Sequence, residues 1–297
     1  MLKRFAHGPA TIKLGDLEVR RLGFGAMRLP GKEVWGEPKD PATAHAVLRR
    51  AIELGINFID TAWYYGPLVA NRLIAEALHP YPSDLVIATK LGAKRLPDKS
   101  WAPAMTPDEL RKGIDTDLET LELEQLPVVH LRWVDTPQIS FAEALDVLID
   151  EQKAGKIRHL ALSNVTLEQC EQALAKTPIV AVQNLYNVSG YTGPIPSAKQ
   201  PEAVLAMCEQ KGIAFLPFFP LAVGSLGGGA SASLEAVAKE LGCTPAQLAI
   251  AWLLARSKVM LPIPGTSKIA HLEENVGAVH VALDDAMMAH LTAHAKR

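Results

Sequence analysis

Short apolar runs alternate with longer amphipathic stretches along the chain. In the longer stretches apolar residues recur at three-and-four spacing, which predicts helices at Pro41–Leu54, Leu68–Leu78, Thr106–Leu121, Phe141–Ala154, Leu167–Ala175 and Pro201–Glu209. The short runs predict eight strands: Arg21–Met27, Phe58–Ala62, Leu85–Lys90, Val128–Trp133, His159–Asn164, Ile179–Asn187, Ala214–Pro220 and Val259–Thr266. Parallel strands need crossover connections, so the alternation predicts an α/β fold with a parallel sheet. Eight strands favour a closed (β/α)8 TIM barrel over an open doubly wound sheet.

Additional elements are predicted at both ends of the barrel pattern. Residues of about 10–20 alternate around a Gly-Asp pair and predict a β-hairpin, and a last helix is predicted at about 284–295. No linker or change of composition divides the chain, so we expect one domain over residues 1–297. The long connections Leu91–Met105 and Ser189–Gln200 follow the third and sixth strands, and as loops they are expected to line a site.

The composition is that of a globular protein without a charged face. The 297 residues are 48% hydrophobic and 21% charged, with a net charge of −2, so we expect no nucleic acid or anionic membrane as partner. The 3 cysteines form no CxxC pair, which fits a reducing compartment, and neither a secretory signal nor a membrane span is recognisable, so a cytoplasmic protein is expected. The 9 histidines lack metal-ligand spacing, and no metal site is predicted.

Four residues with complementary chemistry lie at or near the ends of neighbouring predicted strands. Asp60 and Tyr65 close the second strand, Lys90 closes the third, and His130 lies in the fourth. In a barrel these ends converge on the face that carries the active site. Lys90 would lower the pKa of the Tyr65 phenol, Asp60 would pair with Lys90, and His130 would orient a carbonyl oxygen by donating a hydrogen bond. The set can protonate a developing alkoxide, and the hydride for carbonyl reduction must then come from a cofactor.

Each of these residues also has a structural interpretation when taken alone. Asp60 is then a turn residue, Lys90 a solvated strand end, and His130 a core histidine with its hydrogen bonds satisfied. Their joint placement at three strand ends favours the catalytic interpretation.

The wider motif set resembles the aldo-keto reductase family over nearly the whole chain. The matching blocks are Gly23-Phe-Gly-Ala-Met27, Asp60-Thr-Ala-Trp-Tyr-Tyr65-Gly66, Thr89-Lys90, His130, Leu162-Ser-Asn164, Gln183 with Tyr186-Asn187, Phe218-Phe-Pro-Leu221, Ile263-Pro-Gly-Thr266 and His271-Leu-Glu-Glu-Asn275. The resemblance implies a barrel that binds NADP(H) in extended form across its mouth, with Asp60, Tyr65, Lys90 and His130 as a catalytic tetrad and Tyr65 as general acid.

The same resemblance assigns the cofactor contacts. Ser163, Asn164 and Gln183 match positions that hydrogen-bond the nicotinamide carboxamide, and Phe218 matches the aromatic residue that stacks on the nicotinamide ring. The whole predicted cofactor set is Gly25, Ala26, Met27, Asp60, Ser163, Asn164, Gln183, Phe218, Phe219, Pro220, Leu221, Gly265, Thr266, Ser267, Lys268, His271, Glu274 and Asn275.

The chain departs from the family pattern near the cofactor phosphates. Many members have Lys-Ser and a following Arg where this chain has Gly265-Thr266 and His271. Lys268 and nearby backbone N–H groups could hold a phosphate instead. Loss of the guanidinium fork should weaken the preference for NADPH, so NADPH is expected and use of NADH stays open. Glu274 matches an adenine-contacting position, with a surface helix carboxylate as the alternative.

The substrate pocket is expected to be apolar and aromatic. Its predicted lining is Met27, Trp63, Tyr64, Trp101 and Trp133, although Trp63 and Trp133 fit the core of the barrel equally well. No tail follows the last predicted helix, so an open pocket and a broad range of aldehydes and ketones are expected, with pyridoxal as one candidate. A monomer or weak homo-oligomer is expected.

Three functions remain open from the sequence. The first is an NADPH-dependent carbonyl reductase. The second is a nicotinamide-binding regulatory module, which the family also contains. The third is a barrel lyase that forms a Schiff base on Lys90.

Overall fold

The computed structural model describes residues 2–190, 195–221 and 229–295, in which strands and helices alternate. The strands are β1 (Thr11–Leu14), β2 (Leu17–Arg20), β3 (Phe24–Gly25), β4 (Phe58–Asp60), β5 (Val86–Arg95), β6 (Trp101–Ala104), β7 (Leu126–Arg132), β8 (Ile157–Ser163), β9 (Ala181–Leu185) and β10 (Ala214–Phe218). The helices are α1 (Pro41–Glu53), α2 (Val69–Leu78), α3 (Pro107–Thr120), α4 (Phe141–Lys153), α5 (Leu167–Leu174), α6 (Pro201–Lys211), α7 (Gly229–Glu240), α8 (Pro245–Arg256), α9 (Ile269–Gly277) and α10 (Asp285–Ala295).

Seven strands form one parallel sheet, in the order β3-β4-β5-β7-β8-β9-β10. Residues 259–264 occupy the eighth position. On one side they exchange backbone hydrogen bonds of 2.8 and 2.9 Å with Phe215 of β10. On the other side the carbonyls of Pro262 and Pro264 accept from backbone N–H groups at β3, at 2.9 and 3.4 Å. The sheet therefore closes, and the predicted (β/α)8 barrel with an N-terminal hairpin is confirmed.

Two predicted segments differ from the observed structure. The predicted strand Val259–Thr266 is reduced to a single bridge between Met260 and Phe215. Pro262 and Pro264 lack the N–H groups that a regular ladder requires, so this side of the barrel closes through isolated hydrogen bonds. The connection predicted as a loop at 91–105 is instead a β-hairpin, because β5 continues to residue 95 and pairs antiparallel with β6. Residues 191–194 of the other long connection lie outside the described residues.

Alternate residues of the strands fill the inside of the barrel. They form one apolar cluster: Phe58, Val86, Ala88, Val128, Ala161, Ala181, Ala214, Leu216, Leu261 and Ile263. Leu14 and Val19 of the N-terminal hairpin belong to the same cluster. The hairpin turn contacts the start of β8, where Asp16 accepts a hydrogen bond of 2.6 Å from His159. The hairpin thus covers the amino-terminal end of the barrel and leaves the opposite end open.

A larger apolar core lies between the strands and the surrounding helices. Within residues 2–190, 195–221 and 229–295, no helix is both long and apolar enough to cross a membrane.

Candidate active site

The inward-facing residue series of four strands ends in polar side chains. Asp60, Lys90, His130 and Gln183 each lie two residues beyond an apolar residue of the barrel interior, so strand alternation places them on the same inner face. All four are at most 3% exposed. Their position at the carboxyl ends of the strands matches the side of a barrel on which active sites are found.

Lys90 and Asp60 form a buried ion pair. The Lys90 Nζ atom donates to the Asp60 Oδ2 atom at 2.7 Å and to the Thr61 carbonyl at 2.8 Å. The other carboxylate oxygen of Asp60 accepts from the Gln183 Nε2 atom at 2.7 Å. These contacts compensate both charges, without which burial of either would be strongly unfavourable. The interaction between Asp60 and Gln183 crosses the barrel from β4 to β9.

Tyr65 lies in the turn that follows β4. Its backbone N–H donates to the Ala62 carbonyl at 2.9 Å, and the next residue, Gly66, has a φ of +100°. A Cβ atom on Gly66 would lie 2.5 Å from the Val69 side chain, so only glycine fits this turn. The ammonium of Lys90 is 4.9 Å from the centroid of the Tyr65 ring.

The charges around Tyr65 differ from the expectation that Lys90 lowers the pKa of the phenol. Burial raises the pKa of Tyr65 and the Asp60 carboxylate raises it further, while the Arg132 guanidinium acts in the opposite direction. The charge of Lys90 is compensated by Asp60, so its main contact with Tyr65 is through the ring. The phenol is therefore protonated at neutral pH, which is the form that a proton donor requires.

His130 is fully buried and neutral. Burial lowers the pKa of His130 to about 4. Its Nδ1 atom lies 3.3 Å from the Thr89 carbonyl oxygen, and its Nε2 atom has no hydrogen-bond partner among the described residues. A carbonyl only accepts, so the contact with Thr89 requires the proton on Nδ1 and leaves a lone pair on Nε2. Donation to a substrate carbonyl, as the sequence suggested, requires the other tautomer and the loss of this long contact.

Two adjoining cavities open next to these residues. Cavity A has a volume of about 220 Å³ and is lined by Gly25, Met27, Arg28, Asp60, Tyr65, Gln183, Phe218, Phe219, Pro220, Leu221, Ile263, Pro264 and Gly265. Cavity B has a volume of about 260 Å³ and is lined by Met27, Tyr64, Tyr65, Lys90, Trp101, Arg132, Ser163, Gln183, Phe218 and Phe219. Tyr65 and Gln183 line both cavities, so a ligand in one would contact the same polar residues as a ligand in the other.

Three of the five predicted pocket residues line cavity B. They are Met27, Tyr64 and Trp101. Trp101 belongs to β6 and is half exposed, and its ring meets that of Tyr64 edge-on at 5.7 Å. The hairpin formed by β5 and β6 therefore supplies one wall of cavity B. The sequence predicted a loop that lines a site, and the segment does line it, but as a β-hairpin.

The other two predicted pocket residues lie outside the lining of both cavities. Trp63 lies against α3, where a Cβ atom on Gly113 would be 3.1 Å from its Nε1 atom. Trp133 meets Phe141 edge-on at 5.4 Å, and its Nε1 atom donates to Asp135 at 2.6 Å. Both indoles belong to the apolar core between the barrel and its helices, and neither is part of the cluster inside the barrel that the alternative interpretation proposed.

Of the three residues expected to hydrogen-bond the nicotinamide carboxamide, two line a cavity and one does not. Ser163 and Gln183 line cavity B. Asn164 has a left-handed backbone with φ of +56°, and its Nδ2 atom donates to the Trp133 carbonyl at 2.9 Å. Its Oδ1 atom accepts from the Ser197 hydroxyl at 2.9 Å. The Asn164 amide thus joins two connections after neighbouring strands and does not line either cavity.

The predicted phosphate end begins in the wall of cavity A. A Cβ atom on Gly265 would lie 2.5 Å from the Gly25 carbonyl, so the two backbones approach closely here. The buried Thr266 hydroxyl accepts from the Lys268 backbone N–H at 3.1 Å. Lys268 is the N-cap of α9 and no side chain caps this helix, which leaves backbone N–H groups of its first turn for a ligand.

The remaining predicted cofactor residues follow on or near α9. Ser267 and His271 are exposed, whereas Asn275 is buried. Glu274 is half-buried and accepts from the Thr244 hydroxyl at 2.6 Å, so its carboxylate contributes to the contact between α8 and α9.

A buried polar network behind the site was not foreseen. Thr61 and Thr89 face outward and donate to Asn71 at 2.9 Å and to Asp117 at 2.8 Å, respectively. Asn71 in turn donates to Asp117 at 2.7 Å. Burial raises the pKa of Asp117 to about 7, against the effect of these hydrogen bonds. The available signal was a carboxylate on the apolar face of α3, three residues after Ile114.

Two arginines at the cavities were also missed. Arg28 lines cavity A and Arg132 lines cavity B. For Arg132 the available signal was strand alternation, because it lies two residues beyond His130 on β7.

Comparisons with known proteins agree on one family. The family model described as "Aldo/keto reductase family" matches residues 21–296. The chain is 43% identical over 286 residues to pyridoxine 4-dehydrogenase of Escherichia coli (strain K12), covering 95% of this chain and 96% of the relative. It is also 43% identical over 286 residues to an uncharacterized oxidoreductase of Schizosaccharomyces pombe, covering 96% of this chain and 90% of the relative.

Solved structures of aldo-keto reductases have a similar fold. A thermostable aldo-keto reductase in complex with the inhibitor epalrestat has a TM-score of 0.82 and 27% identity, covering 96% of this chain and 99% of that chain. An aldo-keto reductase from Klebsiella pneumoniae in complex with NADPH has a TM-score of 0.77 and 24% identity, covering 95% of this chain and 94% of that chain.

Proposed function

The chain belongs to the aldo/keto reductase family, and from this premise we propose that it reduces aldehydes or ketones to alcohols with NADPH as hydride donor. The buried pair of Lys90 and Asp60 beside Tyr65, facing two adjoining cavities, is the observation that carries the proposal. Similarity to pyridoxine 4-dehydrogenase and to an aldo-keto reductase in complex with NADPH supports it. Pyridoxal is accordingly one substrate to test.

The residues around cavity A fit a dinucleotide. Gly25 and Gly265 let two backbone segments of the cavity wall approach closely, since a Cβ atom on either would lie within 2.6 Å of a backbone oxygen. The ring of Phe218 offers a stacking surface, and the Gln183 amide lies between the two cavities. The exposed Arg28 guanidinium and the uncapped first turn of α9 would hold the phosphates. When bound, NADPH supplies the hydride that no side chain can provide.

In the proposed proton step, Tyr65 donates its hydroxyl proton to the carbonyl oxygen as negative charge develops there. Asp60 holds Lys90 against the face of the Tyr65 ring, and the Arg132 guanidinium, the cation that lowers the pKa of Tyr65, would stabilise the phenolate that results. The Nε2 atom of the neutral His130 has no protein partner among the described residues; with its lone pair there it would accept from a water, and only in the other tautomer would it donate to the reacting oxygen.

The contacts of Lys90 do not favour the lyase alternative. A Schiff base forms on a neutral, accessible amine. Lys90 is 2% exposed and donates to a carboxylate and a carbonyl at 2.7 and 2.8 Å. An ammonium held in this way does not favour nucleophilic attack on a carbonyl carbon.

The test is Tyr65→Phe, assayed by the decrease of NADPH absorbance with pyridoxal and a panel of aldehydes and ketones, with NADH in parallel. Loss of the proton donor should lower kcat by about 10²- to 10⁴-fold, while NADPH still quenches tryptophan fluorescence. Tyr81→Phe is the matched control, because the Tyr81 hydroxyl also makes one hydrogen bond, to the Leu121 carbonyl at 2.7 Å, far from both cavities. Normal reduction by Tyr65→Phe would refute the assigned role.

A further inference from the structure

The side chain of Arg132, at the open end of the barrel, has no hydrogen-bonding or ionic partner among the described residues. It is the last residue of β7 and is half-buried in the lining of cavity B. Strand alternation puts it on the same inner face as His130, about 7 Å further toward the open end. Its guanidinium makes no hydrogen bond or ion pair with residues 2–190, 195–221 or 229–295, whereas its backbone takes part in the pairing of β7 with β8.

In this respect Arg132 differs from the buried Arg21 and Arg95 and from the half-buried Arg256. The Arg21 guanidinium donates to five backbone carbonyls, and that of Arg95 donates to the carbonyls of residues 33, 34 and 99. Arg256 pairs with a glutamate. When a guanidinium loses part of its hydration, protein acceptors normally replace the lost hydrogen bonds to water. Arg132 has no such acceptor among the described residues, so an acceptor group on a ligand can fill this role.

The charges that line cavity B leave a net positive charge. Lys90 and Arg132 are the charged residues among the described lining, and the charge of Lys90 is compensated by Asp60 at 2.7 Å. The other lining side chains are aromatic, apolar or uncharged polar groups. The five N–H donors of a guanidinium match the two oxygens of a carboxylate in one plane, which an ammonium cannot do.

We propose that Arg132 binds a carboxylate of the carbonyl substrate, so that the preferred substrates are aldehydes or ketones that carry a carboxylate away from the reacting carbonyl. This inference rests on the proposed carbonyl reductase function and narrows its substrate class. The carbonyl would lie beside Tyr65 and the carboxylate on Arg132, both of which line cavity B.

The test compares two aldehydes of nearly equal shape, 4-carboxybenzaldehyde and 4-carbamoylbenzaldehyde, which differ in charge. We expect the wild-type protein to have the higher kcat/KM for the carboxylate. Arg132→Gln should lower the ratio of the two kcat/KM values, carboxylate over amide, by about 10- to 100-fold, as expected for a lost charge-assisted hydrogen bond, whereas any loss that acts through the pKa of Tyr65 is common to both substrates. Arg132→Lys keeps the charge without the planar fork and should recover part of the loss.

Arg20→Gln is the control variant. Arg20 is also half-buried, but it pairs with Asp84 at 3.7 Å near the opposite end of the barrel, so both substrates should be unaffected. NADPH quenching of tryptophan fluorescence checks that each variant is folded and binds cofactor. Inhibition by benzoate, compared with benzamide, gives a second measurement, and Arg132→Gln should weaken inhibition by benzoate alone.

Each contrary outcome has a distinct meaning. If Arg132→Gln lowers kcat/KM equally for both aldehydes, Arg132 acts on the reaction through Tyr65 and the proposal is wrong. The proposal is also wrong if Arg132→Gln leaves both kcat/KM values, and therefore their ratio, unchanged. If the wild-type protein binds NADPH but reduces no aldehyde of any charge, the proposed function itself fails.

Discussion

The buried ion pair of Lys90 and Asp60 can be tested by a double-mutant cycle. Its two side chains are 3% and 5% exposed, and their charged atoms are 2.7 Å apart. Asp60→Asn leaves a buried ammonium with only the Thr61 carbonyl as a full acceptor. Lys90→Met leaves a buried carboxylate with only the Gln183 amide as donor. In the double variant neither charge remains.

The magnitudes follow from what each variant leaves unpaired. Removing one partner of a buried pair costs about 3–5 kcal/mol, because the other charge stays buried without compensation. The double variant loses the hydrogen bond to the Thr61 carbonyl, which costs about 1–3 kcal/mol, and little else. Adding the two single changes would give about 8 kcal/mol, whereas we expect the double variant to lose about 3 kcal/mol. The coupling free energy is therefore about 5 kcal/mol.

The assay is equilibrium unfolding in urea at pH 7, followed by tryptophan fluorescence for the wild type and the three variants. Lys176 and Asp146 provide a matched surface pair, with the same distance of 2.7 Å but exposures of 36% and 54%. The same cycle on this pair should give less than about 1 kcal/mol. Additive effects of the Lys90 and Asp60 substitutions would refute the description of these residues as a coupled buried pair.

Three further predictions concern pH dependence, a buried cation and backbone strain. Burial lowers the pKa of His130 from 6.5 to about 4, so between these pH values the unfolded chain binds a proton that the folded chain does not. The contribution of His130 to the free energy of unfolding, about 3 kcal/mol, is fully present above pH 6.5 and is lost as the pH falls toward 4. His130→Gln should therefore reduce the decrease in the free energy of unfolding, measured in urea, between pH 6.5 and pH 4. Arg21→Met removes the donor to five carbonyls, in three buried and two part-buried hydrogen bonds, and should lower the free energy of unfolding by at least about 3 kcal/mol, and a loss below about 1 kcal/mol in urea would contradict this. Gly92→Ala places a Cβ atom 2.2 Å from the Arg132 carbonyl at a φ of +112°, whereas Gly155, at +86°, has no atom within 4 Å. The first variant should therefore be about 2 kcal/mol less stable than Gly155→Ala and reduce carbonyl compounds more slowly, and equal thermal stability of the two would refute a steric cause.

Local sequence patterns were sufficient to predict most helices and strands of the barrel. Helix bounds such as Pro41–Glu53 lie within a residue of the prediction, because N-cap signals and three-and-four spacing act over a few neighbouring residues. The predicted strand at residues 259–266 was the exception. There the apolar run does lie in the barrel wall, but its prolines limit it to isolated hydrogen bonds.

Side-chain partners were harder to predict than elements. The motif residues Asp60, Lys90 and Tyr65 do meet, because their strands are neighbours in the sheet. Asn164 instead uses its amide to join two connections, and Trp63 turns toward α3. Which way such a side chain turns depends on residues far away in the chain, and strand period alone does not report it.

The order of strands, the hairpin and the residues that end the inward-facing series could all be read from the chain, since they depend on periodicity and on short motifs. Three properties could not be read from it: the compensation of the Lys90 charge by Asp60, which Gln183 also contacts, the neutral state of His130, and the lack of a described partner for the Arg132 guanidinium. These properties depend on which donors, acceptors and charges are brought together across the barrel, over separations of up to 123 residues. Burial then sets their protonation, because charges removed from water must find partners within the fold.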